Sequence, residues 1–136
     1  MRLSYLDTSA AMKLVITEPQ TNALVKSLST GRRLVASWLL HTEMHCAAGR
    51  HPDDVDIDGV QRVLNTVNLA DLTRGDMIGA GTHAPLRSND AIHLAVAIRL
   101  GADEMVTYDD ELSEAAKTAG LTVFAPGPPE SETVEP

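Results

Sequence analysis

Residues 4–9 read Ser4-Tyr5-Leu6-Asp7-Thr8-Ser9, and the fold is best read outward from this stretch. It closes a short apolar segment, Arg2–Leu6, that is typical of a buried strand, and it places an acid where that strand ends. Ligands of open α/β sheets bind at the carboxyl ends of the strands, so Asp7 is a candidate site residue. The simpler interpretation is that Asp7 caps the next helix, because Asp, Ser and Thr all favour that position.

Apolar runs and helical periodicities alternate along the rest of the chain. The predicted strands are Arg2–Leu6, Leu34–Ser37, Asn68–Leu72, Glu104–Thr107 and Thr122–Ala125. The predicted helices are Thr8–Ile16, Gln20–Ser29, Trp38–Arg50, Val55–Val67, Asn89–Leu100 and Asp110–Ala119, and the glycine-rich segment Thr73–Pro85 is predicted as a helix followed by a loop. Strands that alternate with helices imply right-handed crossovers and a mainly parallel sheet, so the expected class is α/β.

Size and charge restrict the possible functions. A chain of 136 residues corresponds to one domain, which we expect to span residues 1–126. The remaining segment, 127–136, is acidic and proline-rich and is predicted to be disordered. The formal net charge of −8 argues against a protein that holds nucleic acid by charge alone. It does not exclude a nuclease, because a bound divalent cation supplies local positive charge.

The cysteine count and the apolar segments of the sequence indicate the cellular compartment. Its single cysteine, Cys46, cannot form an internal disulfide, which makes a reducing cytoplasm the natural setting. The first residues do not have the pattern of a signal peptide. No apolar run approaches the roughly 20 residues needed to cross a membrane. We therefore expect a cytoplasmic protein.

Glu43 is a second acid in an informative position. In the predicted helix it shares an apolar face with Leu39, Leu40 and Ala47. A carboxylate is rarely buried without a partner, so this position favours a functional role. The simpler interpretation is that Glu43 lies at the edge of the face and extends its charged end into water.

Two further acids occupy positions that match Asp7. Asp90 opens a helix in Ser88-Asn89-Asp90-Ala91, and Asp109 follows the apolar run Met105–Tyr108. Each could be only a capping or first-turn acid, a role for which Asp110 and Glu111 compete with Asp109. No single acid is decisive, and the prediction depends on the set of four: Asp7, Glu43, Asp90 and Asp109.

Carboxylates that converge on one site repel one another unless a cation neutralises them. A set of hard oxygen ligands favours Mg²⁺ or Mn²⁺ over Zn²⁺. The segment His41-Thr42-Glu43-Met44-His45 resembles a zinc-binding HExxH helix, but its Glu stands at the third position. Two residues correspond to about 200° of helix, so Glu43 faces away from both histidines and zinc is disfavoured.

Two other residues near these acids could take part in a site. His93 follows Asp90 by one helical turn, and we expect it at the edge of the core rather than lining an acidic pocket. Trp38 is expected to pack in the core rather than to stack on a nucleic-acid base.

The ordered set of motifs resembles the PIN domain family. The matching segments are Leu6-Asp7-Thr8-Ser9-Ala10, the helix that carries Glu43, Asn89-Asp90-Ala91-Ile92-His93-Leu94-Ala95, and Val106-Thr107-Tyr108-Asp109 followed by Leu112-Ser113-Glu114-Ala115-Ala116. The small single-domain form is similar to VapC-like ribonuclease toxins of type II toxin–antitoxin pairs. The resemblance runs from Arg2 to about Pro126.

The resemblance implies a three-layer αβα fold with a central parallel sheet of four to five short strands. It also implies an endoribonuclease that depends on Mg²⁺ or Mn²⁺, with Asp7, Glu43, Asp90 and Asp109 around the metal. Thr8 or Ser9, together with Thr107, would be supporting polar groups. The implied partners are an RNA substrate, a small antitoxin from the neighbouring gene and a second copy of the chain. A dimer is also expected because helices such as Trp38–Arg50 would leave an apolar face for a partner.

The chain departs from the family pattern in two respects. The glycine-rich segment Thr73–Arg87 does not map onto it, and the strong acidity leaves the RNA-binding surface unidentified. Two alternatives stay open. A Mg²⁺-dependent phosphatase with a D-x-D motif would need an acid where the chain has Ser9. A non-enzymatic response-regulator-like or interaction domain would need a Lys beside the phosphoacceptor Asp, and the lysines are Lys13, Lys26 and Lys117.

Overall fold

A computed structural model describes residues 1–128 of the chain. Its five strands are β1 (Arg2–Leu6), β2 (Arg32–Ser37), β3 (Asn68–Ala70), β4 (Glu104–Val106) and β5 (Thr122–Phe124). All neighbouring pairs are parallel, and the strand order is β3-β2-β1-β4-β5. The predicted α/β class and parallel sheet are confirmed.

Seven helices connect the strands within the described residues. They are α1 (Thr8–Lys13), α2 (Thr21–Leu28), α3 (Trp38–Arg50), α4 (Ile57–Leu64), α5 (Arg74–Ala80), α6 (Ser88–Leu100) and α7 (Asp110–Thr118). The chain moves from β1 to β3 through α1–α4, and then returns to β4 through α5 and α6. Because such crossovers are right-handed, the two groups of helices cover opposite faces of the sheet and form three layers.

The direction of the connections changes at the centre of the sheet. β1 has β2 on one side and β4 on the other, with Tyr5 opposite both Val35 and Met105. The side chains of Tyr5 and Met105 are fully buried in the core. Such a reversal creates a crevice at the carboxyl ends of the two diverging strands. The carboxyl ends of β1 and β4, where Asp7 and Asp109 follow, therefore lie at this crevice.

Local side-chain interactions set the ends of several elements. β2 begins at Arg32 rather than at the predicted Leu34, because Arg32 pairs with Arg2 and extends the ladder. Helix α4 begins at Ile57 rather than Val55, since the Asp56 side chain accepts a hydrogen bond from the Asp58 amide and caps it. The glycine-rich segment forms a helix and then a loop, as predicted.

Trp38 is not a core residue, so that prediction was wrong. Its side chain is 46% exposed, because it opens α3 on the side opposite the residues that face the core, Leu40, Met44 and Ala48. Of the predicted tail, Pro128 accepts a hydrogen bond from Gln20 at 2.9 Å, and residues 129–136 lie outside the described part of the chain. No helix within residues 1–128 has the length and apolar character required to cross a bilayer.

Candidate active site

The four predicted acids all lie at one edge of the sheet. Asp7 is the N-cap of α1 directly after β1, and Asp109 is the N-cap of α7 after β4. Asp90 lies in the first turn of α6, and Glu43 lies in the second turn of α3. Both helix starts and strand ends of a parallel α/β fold meet at this edge, which is why residues far apart in sequence come together.

Three of these acids line one cavity of about 670 Å³. Glu43, Asp90 and Asp109 contribute to its wall, together with Pro85, Leu86, Arg87, Ser88 and Asn89. Asp7 does not line the cavity, because its residue is only 2% exposed. The structure thus brings three carboxylates to a common opening and keeps the fourth inside the protein.

The carboxylate of Asp7 is held by a dense set of hydrogen bonds. Oδ1 accepts from the Ala10 amide at 2.9 Å and from the Ser9 hydroxyl at 2.8 Å, and Oδ2 accepts from the Thr107 hydroxyl at 2.5 Å. Burial raises the pKa of the Asp7 carboxyl, and these hydrogen bonds offset only part of that effect. The capping role considered for Asp7 is therefore real, but the additional bonds to Ser9 and Thr107 exceed what a cap requires.

Thr107 connects Asp7 with Asp109. Its hydroxyl donates to Asp7 and accepts a hydrogen bond from the backbone amide of Asp109 at 3.1 Å. Asp109 uses Oδ1 to accept from the Leu112 amide at 2.8 Å. The turn after β4 is thereby fixed relative to β1, and the Asp109 carboxylate is oriented at the cavity wall.

Glu43 is held by residues from two other helices. Its Oε1 accepts from the Thr8 hydroxyl at 2.5 Å and lies 2.6 Å from His93 Nε2. Its Oε2 accepts from the Asn89 side chain at 3.0 Å. Burial raises the pKa of the Glu43 carboxyl, but the interactions with His93, Thr8 and Asn89 outweigh burial and leave the pKa below its usual value. Glu43 is thus held in its charged form.

Asp90 contrasts with the other three acids. Within residues 1–128 its side chain has no hydrogen-bond partner, although it is about half buried. Burial raises the pKa of the Asp90 carboxyl, and the negative charges of Asp109 and Glu43 raise it further, while His93 and Arg87 oppose the shift. Asp90 is the carboxylate of the cavity whose oxygens remain free for a ligand.

The donor chemistry of this site fits a hard divalent cation. Asp90 and Asp109 repel each other, and a cation between carboxylates would relieve that repulsion. The side chains do not already form a closed ligand set, since no group of three or more His, Cys, Asp or Glu residues in the described chain is arranged to hold a metal. Asp7 and Glu43 are instead engaged by protein donors.

The segment that resembles a zinc motif directs its glutamate away from its two histidines. His41 and His45 stack on each other with ring centroids 4.1 Å apart, whereas Glu43 is bound to residues of α1 and α6. Glu43 therefore faces away from both histidines, as the helical geometry predicts.

Three residues of the site were not identified from sequence. His93 is 1% exposed and bridges the core and the acidic site, since it contacts both Tyr5 and Glu43. The expectation that it belongs only to the core edge was incomplete. Asn89 and Arg87 flank Asp90 and line the cavity. The helical spacing of His93, three residues after Asp90, had made it a candidate for the acidic pocket, but the core edge was the favoured interpretation.

Comparison with known proteins agrees with this geometry. The PIN domain family model matches residues 4–118. Ribonuclease VapC46 of Mycobacterium tuberculosis is 39% identical over 130 residues, which cover 93% of this chain and 99% of that protein. Ribonuclease VapC35 of the same species is 36% identical over 134 residues, covering 90% of this chain and 96% of the relative.

Solved structures share the fold at low sequence identity. M. tuberculosis VapC20, described as a sarcin-ricin loop cleaving toxin, has a TM-score of 0.67 at 16% identity and covers 88% of this chain and 96% of its own. The VapBC2 structure from Rickettsia felis, bound to a promoter DNA fragment, has a TM-score of 0.66 at 12% identity and covers 90% and 97%. PIN-domain VapC ribonucleases generally use a divalent metal ion. Together, the family match and the relatives show that this chain belongs to the PIN domain family.

Proposed function

We propose that this protein is a VapC-like endoribonuclease, the toxin of a toxin–antitoxin pair, which hydrolyses RNA phosphodiester bonds. The observation that carries the proposal is the cavity wall formed by Glu43, Asp90 and Asp109 at the carboxyl edge of the sheet. The names of the relatives that match nearly the whole chain support it. A protein of this kind, with a single cysteine, would act in the cytoplasm.

The metal would be Mg²⁺ or Mn²⁺, held by Asp7, Asp90, Glu43 and Asp109 directly or through water. Such an ion, when bound, supplies positive charge at the scissile phosphate and acidifies an attacking water. The free oxygens of Asp90 make it the best placed direct ligand. Glu43 has both oxygens engaged by protein donors, which suits it to orient a water rather than to bind the ion itself.

Arg87 has a separate role in this proposal. It lines the cavity directly before Asp90 and is the cationic side chain of that wall. Guanidinium groups bind phosphate oxygens with two parallel hydrogen bonds. Arg87 would therefore bind the RNA backbone beside the carboxylates, which gives an acidic protein a local site for a polyanion.

The class of reaction can be tested with two substrates. The purified protein should cleave single-stranded RNA in the presence of Mg²⁺ or Mn²⁺ and lose this activity in EDTA. A phosphatase would instead release phosphate from a phosphomonoester such as p-nitrophenyl phosphate. An interaction domain would do neither, and absence of RNA cleavage with both metals would overturn the proposal.

The antitoxin would lie in a second groove that continues from the acidic cavity. This groove has a volume of about 640 Å³ and is lined by residues 82–86 and one side of α7. Pro85 and Leu86 line both cavities. The wall is mostly apolar, and Asp110, Glu111 and Glu114 stand along α7. An antitoxin segment with apolar and basic side chains would match this surface, and its basic end would reach the carboxylates.

A homodimer would form through α5 and α6 rather than through α3. Helix α3 exposes only Trp38 among its large apolar residues, whereas Met77, Ile78 and Ile98 are 50%, 67% and 44% exposed. Apolar side chains on adjacent helices are typical of a symmetric interface. Ile78→Glu should convert a dimer to a monomer in light scattering. Ile57→Glu, at an exposed position on α4, is the matched control and should leave the dimer intact.

A further inference from the structure

A chain of hydrogen bonds leads from the protein backbone to Glu43 through two buried side chains. The Ser37 amide lies 3.2 Å from the Tyr5 hydroxyl, which lies 2.7 Å from His93 Nδ1. His93 Nε2 in turn lies 2.6 Å from Glu43 Oε1. We propose that Tyr5 is a positioning residue, which fixes the orientation of Glu43 through His93; its relevance to catalysis rests on the proposed function.

The direction of this chain follows from its first member. The Ser37 amide can only donate, so the Tyr5 oxygen is the acceptor in that bond. Burial raises the pKa of the Tyr5 phenol far above its usual value, so the hydroxyl keeps its proton. That proton is then directed at His93 Nδ1, which must accept it through an unprotonated nitrogen. A proton on Nε2 then lies between His93 and the Glu43 carboxylate oxygen, 2.6 Å away.

The opposite arrangement is unfavourable at both ends of His93. If Nδ1 carried the imidazole proton, Nε2 would present a lone pair to a carboxylate oxygen 2.6 Å away. The Tyr5 hydroxyl would also lose its acceptor inside the core, and buried polar groups without partners are costly. The Tyr5 hydroxyl therefore selects the Nε2–H tautomer, which donates to Glu43 and can donate weakly to Thr8 Oγ1 at 3.3 Å.

The hydroxyl of Tyr5 has no other evident purpose. The ring of Tyr5 is fully buried on β1 and packs edge-on against His93 with centroids 5.6 Å apart, contacts that a Phe ring would also make. Among residues 1–128, the oxygen adds only the bonds to Ser37 and His93. A glutamate has three rotatable bonds, so donors from α1 and α6 are needed to hold its carboxylate in one place. Tyr5 determines that His93 donates to the Glu43 carboxylate through Nε2.

Nitrogen-15 NMR of the imidazole tests the first step without any activity measurement. The wild-type protein should show His93 as the Nε2–H tautomer, and Tyr5→Phe should shift the ring toward a mixture of forms. A wild-type His93 with its proton on Nδ1 would overturn the proposal, whether or not the variant folds. This readout also separates the proposal from the proposed function, because it needs no RNA cleavage.

Kinetics test the second step. Tyr5→Phe should lower kcat for RNA cleavage about tenfold with KM nearly unchanged, as expected when a partner of a site residue is lost. In a His93→Gln background, where an amide replaces the Nε2–H donor, the same Tyr5→Phe change should have little further effect. An equal loss in both backgrounds would mean that Tyr5 acts only through packing. Tyr108→Phe, which removes a hydroxyl bound to the Pro126 carbonyl, is the control and should retain parent kcat.

Discussion

Two acids at opposite edges of the sheet, Glu104 on β4 and Asp90 on α6, have opposite surroundings in the structure. Glu104 begins β4 and is 2% exposed, yet it accepts from the Ser4 hydroxyl at 2.6 Å and from Arg32 Nε at 2.6 Å. Asp90, at the other edge, is half buried beside Asp109 and Glu43 and has no hydrogen-bonded partner in the described chain. The more deeply buried of the two acids is therefore the one that has partners.

The two acids differ in whether protein groups balance the carboxylate charge. The protein supplies Glu104 with a guanidinium and a hydroxyl, so the carboxylate completes the structure and needs nothing from outside. Burial and the neighbouring charge of Asp109 raise the pKa of Asp90 despite the opposing effect of His93 and Arg87, and a ligand cation would balance its charge. An acid whose charge is unbalanced in a cavity indicates a binding site, whereas a buried acid that is paired with a cation indicates a structural role.

The largest effect should follow from neutralising Asp90. Asp90→Asn should abolish RNA cleavage and the stabilisation by Mg²⁺, while stability without metal should stay equal or rise because one repelling charge is lost. Cleavage assays and thermal unfolding with and without Mg²⁺ measure both effects. Asp110→Asn, at an exposed position in the first turn of α7, is the control. If the Asp90→Asn variant cleaved RNA at the parent rate, Asp90 would not be a site residue.

Neutralising Glu104 should have the converse effect. Glu104→Gln leaves Arg32 without its anionic partner and should cost about 3 kcal/mol of unfolding free energy, in the range for broken buried pairs. Cleavage per folded molecule should not change. Glu114→Gln, which removes an exposed pair with Lys117, should have no measurable effect on stability. Unfolding in urea measures the stability of both variants. An equal loss of unfolding free energy in Glu104→Gln and Glu114→Gln would show that the partners of Glu104 do not stabilise the fold.

Acids along α7 should affect partner binding alone. Reversing two charges, Glu111→Lys with Glu114→Lys, should weaken a basic antitoxin roughly tenfold if each like-charge contact costs several tenths of a kcal/mol or more. Titration calorimetry with the antitoxin measures the change, and RNA cleavage should persist. Asp54→Lys, at an exposed position before α4, is the matched control. Unchanged antitoxin affinity would place the partner elsewhere.

The smallest effect concerns a compensated acid outside the site. Arg99 donates to Asp76 at 2.7 Å and holds the pKa of that carboxyl below its usual value. A depressed folded-state pKa contributes stability above the unfolded value, near 3.9, and this contribution is lost as pH falls through the folded pKa. Asp76→Asn should therefore be less stable than the parent at pH 7, and the difference should shrink below about pH 4. A difference that is as large at pH 3 as at pH 7 would contradict this assignment.

The sequence predicted those parts of the site that depend on local signals. Asp7, Asp90 and Asp109 follow strands or open helices, and such positions can be recognised from a few neighbouring residues. The partners of Glu43 could not be recognised in this way, because His93 is 50 residues away and belongs to another layer. The role of the Tyr5 hydroxyl could not be predicted either, since a tyrosine in an apolar strand is expected only to pack in the core.

Element boundaries show the same limit. Apolar periodicity located the helices and strands, but the exact start of α4 depends on one side chain, Asp56, and that of β2 on pairing with Arg2. Trp38 was misplaced because hydrophobicity favours burial, whereas its position at the start of α3 turns it outward. Apolar periodicity in the sequence predicts that a helix or strand is present. Individual side-chain and backbone contacts determine where that element ends and which way it faces.

The placement of Asp7, Asp90 and Asp109 at helix beginnings has one more consequence. Aligned peptide dipoles give the start of a helix a partial positive charge of about half an elementary unit. The acidic edge therefore receives its positive potential from the backbone of α1, α6 and α7, whereas Glu104 depends on Arg32. Backbone potential neither titrates nor disappears with a point substitution. A chain of net charge −8 can thus keep a cluster of acids folded while no metal is bound.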